Sequence, residues 1–78
     1  MSSAALNVDD VISVDPERLG GVPVFKGSRV PISALFDYLR AGDPIDRFLD
    51  HFPGITREQV DAVLQLAQRD LLKGVRAA

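Results

Sequence analysis

The spacing of apolar residues changes once along this chain, near residue 32. Before it they fall in short runs, Val11-Ile12-Ser13-Val14 and Val22-Pro23-Val24-Phe25, separated by Asp15-Pro16 and Gly20-Gly21. Short runs bounded by turn formers read as strands. A first strand is expected over Val11–Val14, ended at Asp15-Pro16 because the residue before a proline avoids helical angles and an aspartate turns the chain onto its own backbone. A second extended piece covers Val22–Phe25, and Pro23, with no N–H to give a ladder, confines it to a sheet edge. Lys26-Gly27-Ser28-Arg29 is turn chemistry leading to Val30, which makes a minimal hairpin. Residues 1–10 show no periodicity and are expected to form a flexible tail.

From Ile32 the period becomes helical. Ile32, Leu35, Phe36 and Leu39 share one face of a first helix, opposite Asp37 and Arg40, and Gly42 ends it. Asp43-Pro44 restarts the chain, with the aspartate as cap, the proline at the first helical position and Asp46 favoured by the helix dipole. The second helix runs to about Phe52 with Ile45, Phe48, Leu49 and Phe52 inward, and Pro53-Gly54 breaks it. Thr56 opens a third helix with Gln59 three residues later, a capping box, while Ile55 and Val60 stand at the positions of a hydrophobic staple. Val60, Val63, Leu64, Ala67 and Leu71 form its apolar stripe and Gly74 its stop. The predicted fold is therefore mainly α, a short N-terminal β-hairpin followed by a three-helix helix-turn-helix bundle. One domain is expected over residues 11–74, with residues 75–78 frayed.

Composition narrows the function classes. At 78 residues the chain supports one core, and it has no cysteine, which removes disulfides and thiolate metal sites. The N-terminus lacks a basic region followed by an apolar stretch, and no apolar run is long enough to span a bilayer, so a cytoplasmic protein without a membrane anchor is expected. Net charge is -2, which argues against a strongly basic nucleic-acid binder. The bases fall mainly around the hairpin (Arg18, Lys26, Arg29) and in the last third (Arg57, Arg69, Lys73, Arg76), while the middle is acidic.

No constellation in the chain reads as catalytic. His51 is the only histidine and cannot assemble a zinc site of familiar composition without cysteine. Asp43, Asp46 and Asp50 are explained by a solvated helix face, Ser33 is a helix-start serine, and Gly20-Gly21 and Gly27 lack the strand–loop–helix context of a phosphate loop. No catalytic residue, metal or cofactor is expected. The second and third helices could instead read DNA. In that case Arg57 and Gln65 would reach base edges from the third helix and Lys26 and Arg29 would meet phosphates. The same turn also occurs in small bundles that serve only as scaffolds.

The stretch Asp15-Pro16, Gly20-Gly21, Pro23-Val24, Gly27-Ser28-Arg29-Val30-Pro31-Ile32, then a helix ending Ala41-Gly42 and the segment Phe52-Pro53-Gly54-Ile55-Thr56-Arg57-Glu58-Gln59-Val60, resembles the bacterial and archaeal family called domain of unknown function 433. The likeness runs from about Asp15 to Leu72. Ser28 stands where threonine is commoner, and the second helix has fewer glutamates than the family pattern. The matching motif residues are Gly20, Gly21, Pro23, Gly27, Ser28, Arg29 and Pro31. The resemblance implies a homeodomain-like or winged-helix-like DNA-binding fold and, for many members, the antitoxin role of a type II toxin–antitoxin pair beside a PIN-like toxin. Physically, Arg29 offers a donor fork to a phosphate or to a carboxylate such as Asp15 or Asp37.

The expectation that follows is a non-enzymatic antitoxin that neutralises a PIN-like toxin and represses its own promoter as a DNA-binding homodimer. The strand edges at Val11–Val14 or Val22–Phe25 offer it a pairing surface. The rival reading is a protein-interaction module that binds no DNA and presents an acidic face to a basic partner.

Overall fold

The computed structural model describes residues 7–17 and 19–75, apart from the side chain of Leu19. Arg18, Arg76, residues 1–6 of the expected tail and residues 76–78 of the expected frayed end lie outside the described residues. Within them the order is α1 (Val8–Val11), β1 (Ile12–Ser13), β2 (Val24–Phe25), α2 (Ile32–Arg40), α3 (Ile45–His51) and α4 (Arg57–Lys73). The architecture is mainly helical, an N-terminal antiparallel strand pair followed by three helices, in the order the hydrophobic pattern predicts.

The first strand is shorter than Val11–Val14. Val11 belongs to a helical turn that begins at Val8, capped by the Asn7 side chain, which accepts from the Asp9 N–H. Val11 is buried and α1 packs on α4. Burying Val11 there stabilises a turn that four residues could not sustain alone. β1 then pairs antiparallel with β2, Ile12 opposite Phe25 and Ser13 opposite Val24.

β2 is not an edge. On one side the Lys26 N–H donates to the Val11 carbonyl, and on the other the Phe25 N–H donates to the Val30 carbonyl while Val24 bridges to Pro31. Pro23 is tolerated because the ladder uses its carbonyl, which accepts the Ile32 N–H at 3.0 Å, and not the donor it lacks.

α2 ends in a Schellman motif: Gly42, at φ 90°, donates to Leu39, and the Asp43 N–H reaches the Tyr38 carbonyl. Asp43 does not cap α3. Pro44 holds extended angles and is itself the N-cap, without a side-chain bond, so Asp43 stands one residue further out, where its carboxylate accepts from Arg47 at 3.4 Å. Phe52, expected inside this helix, is its C-cap. α4 begins as the sequence predicts. Thr56 Oγ1 accepts from the Gln59 N–H and Gln59 Oε1 from the Thr56 N–H, a complete capping box, with Ile55 and Val60 of the staple both buried.

Phe25, Leu35, Phe48 and Val60 are fully buried, so β2, α2, α3 and α4 each contribute one side chain to the centre. Phe48 is the hub, with ring centroids 5.9 Å from Phe25, 5.4 Å from Tyr38 and 4.9 Å from Phe52. The inner stripe of α4 is Val60, Val63 and Leu66, not Val60, Val63, Leu64, Ala67 and Leu71. Steps of three carry the buried line round the helix toward α1, leaving Leu64 half-buried and Ala67 and Leu71 outside the core.

Candidate functional site

The motif loop between β1 and α2 is built from its own chemistry. Gly20 and Gly21 hold φ 64° and 81°, and Gly27 holds φ 81° at the third position of the turn closed by the Ser28 N–H on the Phe25 carbonyl. A side chain at these angles would be strained. The Ser28 hydroxyl donates to the Phe25 carbonyl at 2.8 Å and accepts from the Val30 N–H at 3.0 Å, which explains why serine serves where threonine is commoner. Pro23 and Pro31 bracket the start of α2, one as acceptor for its first N–H and the other as its N-cap. Six of the seven motif residues thus have a structural task.

Arg29 is the seventh. It is exposed, and among the described residues it makes no ion pair, with Asp15 and Asp37 included. Asp15 instead accepts from the Glu17 N–H. Lys26 is otherwise engaged: its ammonium donates to the Asp9 carbonyl in α1 at 3.1 Å, and its own carbonyl accepts Gln59 Nε2 at 3.3 Å. Gln59 therefore closes the capping box with one end of its amide and ties the hairpin turn to α4 with the other.

Arg57 and Gln65 lie elsewhere. Two residues along a helix is a rotation of about 200°, so Arg57 points away from the Gln59 side that meets the hairpin turn. Its guanidinium pairs with the Asp46 carboxylate of α3. Gln65 donates to Asp61 one turn back, at 2.7 Å. Asp46, Arg57, Glu58 and Asp61 put three acids and one base on the outer side of α3 and the start of α4, all exposed. The hairpin turn that carries Lys26 thus meets α4 on its Gln59 side, while Arg57 faces the other way.

Sequence reasoning missed the apolar features. A groove of about 370 Å³ is lined by Ile12, Val22, Pro23, Ile32, Ser33 and Phe36, and a second of about 340 Å³ by Ile45, Arg57, Glu58, Val60, Asp61 and Leu64. Leu71, Leu72 and Val75 are exposed at the far end of α4. Their signal was an apolar stripe longer than the core could cover. Tyr38 and His51, hydrogen-bonded through Oη and Nδ1, join α2 to α3 at the surface. Among the described residues no cluster of histidine and carboxylates is placed to hold a metal, and no helix is long and apolar enough to cross a membrane.

These features define a small mainly helical domain whose N-terminal strand pair carries a glycine- and proline-rich motif. The chain belongs to the family described as protein of unknown function (DUF433), which matches residues 12–67, from β1 to within α4. A curated relative, the uncharacterized protein y4eO of Sinorhizobium fredii, is 29% identical over 82 residues. That alignment covers 97% of this chain and 37% of the relative, so the chain spans little more than a third of that protein's length. No solved structure matches it.

Proposed function

We propose that this protein is a non-catalytic regulator of the antitoxin type that works by binding other proteins, with the helix-turn-helix acting first as scaffold. The supporting observation is the outer face of α4. A helix that reads DNA presents free donors there, whereas here Arg57 is held by Asp46, Gln65 by Asp61, and Glu58 stands between them. The Arg57–Asp46 pair is exposed and costs at most about 1 kcal/mol to open. The carboxylates that remain are the larger obstacle, because they would meet phosphates at contact distance. The partner implied by the family resemblance is a PIN-like toxin. Co-expression of this chain with a PIN-like protein encoded beside it tests the reading: a stable complex that suppresses the toxin's ribonuclease activity is expected, and two proteins that elute separately would refute it.

A second reading, an autoregulatory repressor that binds its operator, is favoured by Arg29. This is the one motif side chain without a structural task, and it stands exposed one residue after the turn that Ser28 closes. Under that reading Lys26→Ala weakens binding to all DNA sequences alike and flattens its salt dependence, while Arg57→Ala relaxes sequence preference at a cost of roughly 1–3 kcal/mol. A mobility-shift titration separates the two effects.

A further inference from the structure

The groove between the starts of α3 and α4 combines an apolar floor with a charged bank. Ile45 of α3 and Val60 and Leu64 of α4 form the floor, and Ile45 and Leu64 are half-buried, so apolar surface stays open to water there. Arg57, Glu58 and Asp61 complete the lining. Of these three charges the base is already matched, because the Arg57 guanidinium pairs with the Asp46 carboxylate of α3. Glu58 and Asp61 are exposed and make no ion pair among the described residues, and Asp61 accepts from the neutral amide of Gln65. Three positions apart on one helix, their carboxylates are neighbours and repel each other. At about 340 Å³ the groove is at the small end of the volumes that hold ligands, and it suits a partner's side chains better than a whole cofactor.

We propose that this groove docks a basic segment of another protein, which seats one aliphatic side chain on Ile45, Val60 and Leu64 and sets lysine or arginine on Glu58 and Asp61. The inference rests on the protein-binding reading above and gives it a site and a partner chemistry. Complementarity argues for both halves of the ligand. The floor selects an apolar side chain, since docking one there removes apolar area of both partners from water. The bank selects a cation, which relieves the repulsion between two neighbouring carboxylates and is steered toward them. A purely apolar partner would desolvate those carboxylates without pairing them, and a phosphate-bearing one would be repelled. Arg57 stays on Asp46, which keeps the one base of the lining from opposing the incoming cation. In a helical partner the apolar and basic groups stand three or four positions apart, the spacing that puts them on one face.

The test uses an alanine-rich helical peptide with one leucine and arginines three and four positions after it, titrated against the full chain by fluorescence anisotropy at low salt. Saturable binding is expected, about tenfold tighter than for peptides that keep the leucine alone or the arginines alone, and weaker as salt is raised. Glu58→Lys with Asp61→Lys should abolish that preference and favour a peptide with glutamates in place of the arginines. Glu58→Gln with Asp61→Asn, which keeps side-chain size, should lose most of the preference with unchanged helical circular dichroism. No binding, equal affinity for the three peptides, or a preference that survives both double substitutions would overturn the inference. A dimeric parent chain that Glu58→Lys with Asp61→Lys dissociates would put a second copy in the groove and overturn it as well. The wider reading fails separately. If this chain and the neighbouring PIN-like protein elute apart, that reading is refuted while the peptide comparison still decides the groove, and a complex that survives both double substitutions keeps the reading and rejects the site.

Discussion

Ser28 and Gln59 each tie backbone to backbone across a turn, and each can be tested by changing one side chain. Ser28→Ala leaves the Phe25 carbonyl and the Val30 N–H without their shared hydroxyl, and a loss of about 1–2 kcal/mol is expected in urea unfolding. Ser28→Thr, which keeps the oxygen, should stay near the parent value. Gln59→Glu separates two roles. The carboxylate still closes the capping box and gains a few tenths of a kcal/mol from the helix dipole, but it has no N–H for the Lys26 carbonyl. A net loss of about 0.5–1 kcal/mol in a thermal melt, with helix content kept, identifies the tie to the hairpin. A net gain would mean that the tie contributes nothing. At this scale the sequence showed which side chains belonged to the motif but not what they touch. Ser28 acts within five residues, yet its bonds depend on the turn that Gly27 permits, and Gln59 reaches a carbonyl 33 positions away.

Helix ends separate what was legible from what was not. Thr56→Ala removes a cap that both sequence and geometry place at the start of α4, and should cost about 1 kcal/mol in stability. Asp43→Ala should change stability by less than about 0.5 kcal/mol, because Asp43 is outside α3 and its carboxylate meets the exposed Arg47. If Asp43→Ala cost as much as Thr56→Ala in parallel melts, the aspartate would be the working cap after all. The capping box was readable because both of its residues lie within one turn of each other. The start of α3 was ambiguous because proline suits the cap and the first helical position alike, and its ψ angle decides between them. α1 carried no signal, since four residues show no period and their helical turn depends on Val11 finding α4. The stripe of α4 was legible as to existence but not as to side: Leu66 and Ala67 are adjacent, and the partner element α1 decides which turns inward.

At the scale of the whole molecule, the net charge of -2 supports the proposed protein-binding role more directly than the helix-turn-helix pattern does. Two of its cations are engaged within the fold, Arg57 by Asp46 and Lys26 by the Asp9 carbonyl, and both ties join residues distant in sequence that no spacing rule connects. The fold order and the core hubs at Phe48 and Leu35 were readable from periodicity, because burial on this scale imposes it. The apolar surplus of α4 was readable only once the core was seen to end before Leu71. The most direct test of the protein-binding assignment is a mobility-shift titration of the purified chain on its own promoter at low salt, comparing parent and Arg57→Ala. Equal shifts on promoter and scrambled DNA, or none, unchanged by Arg57→Ala, are expected. A promoter-preferring shift whose preference is lost in Arg57→Ala would show that α4 reads DNA and would contradict the assignment.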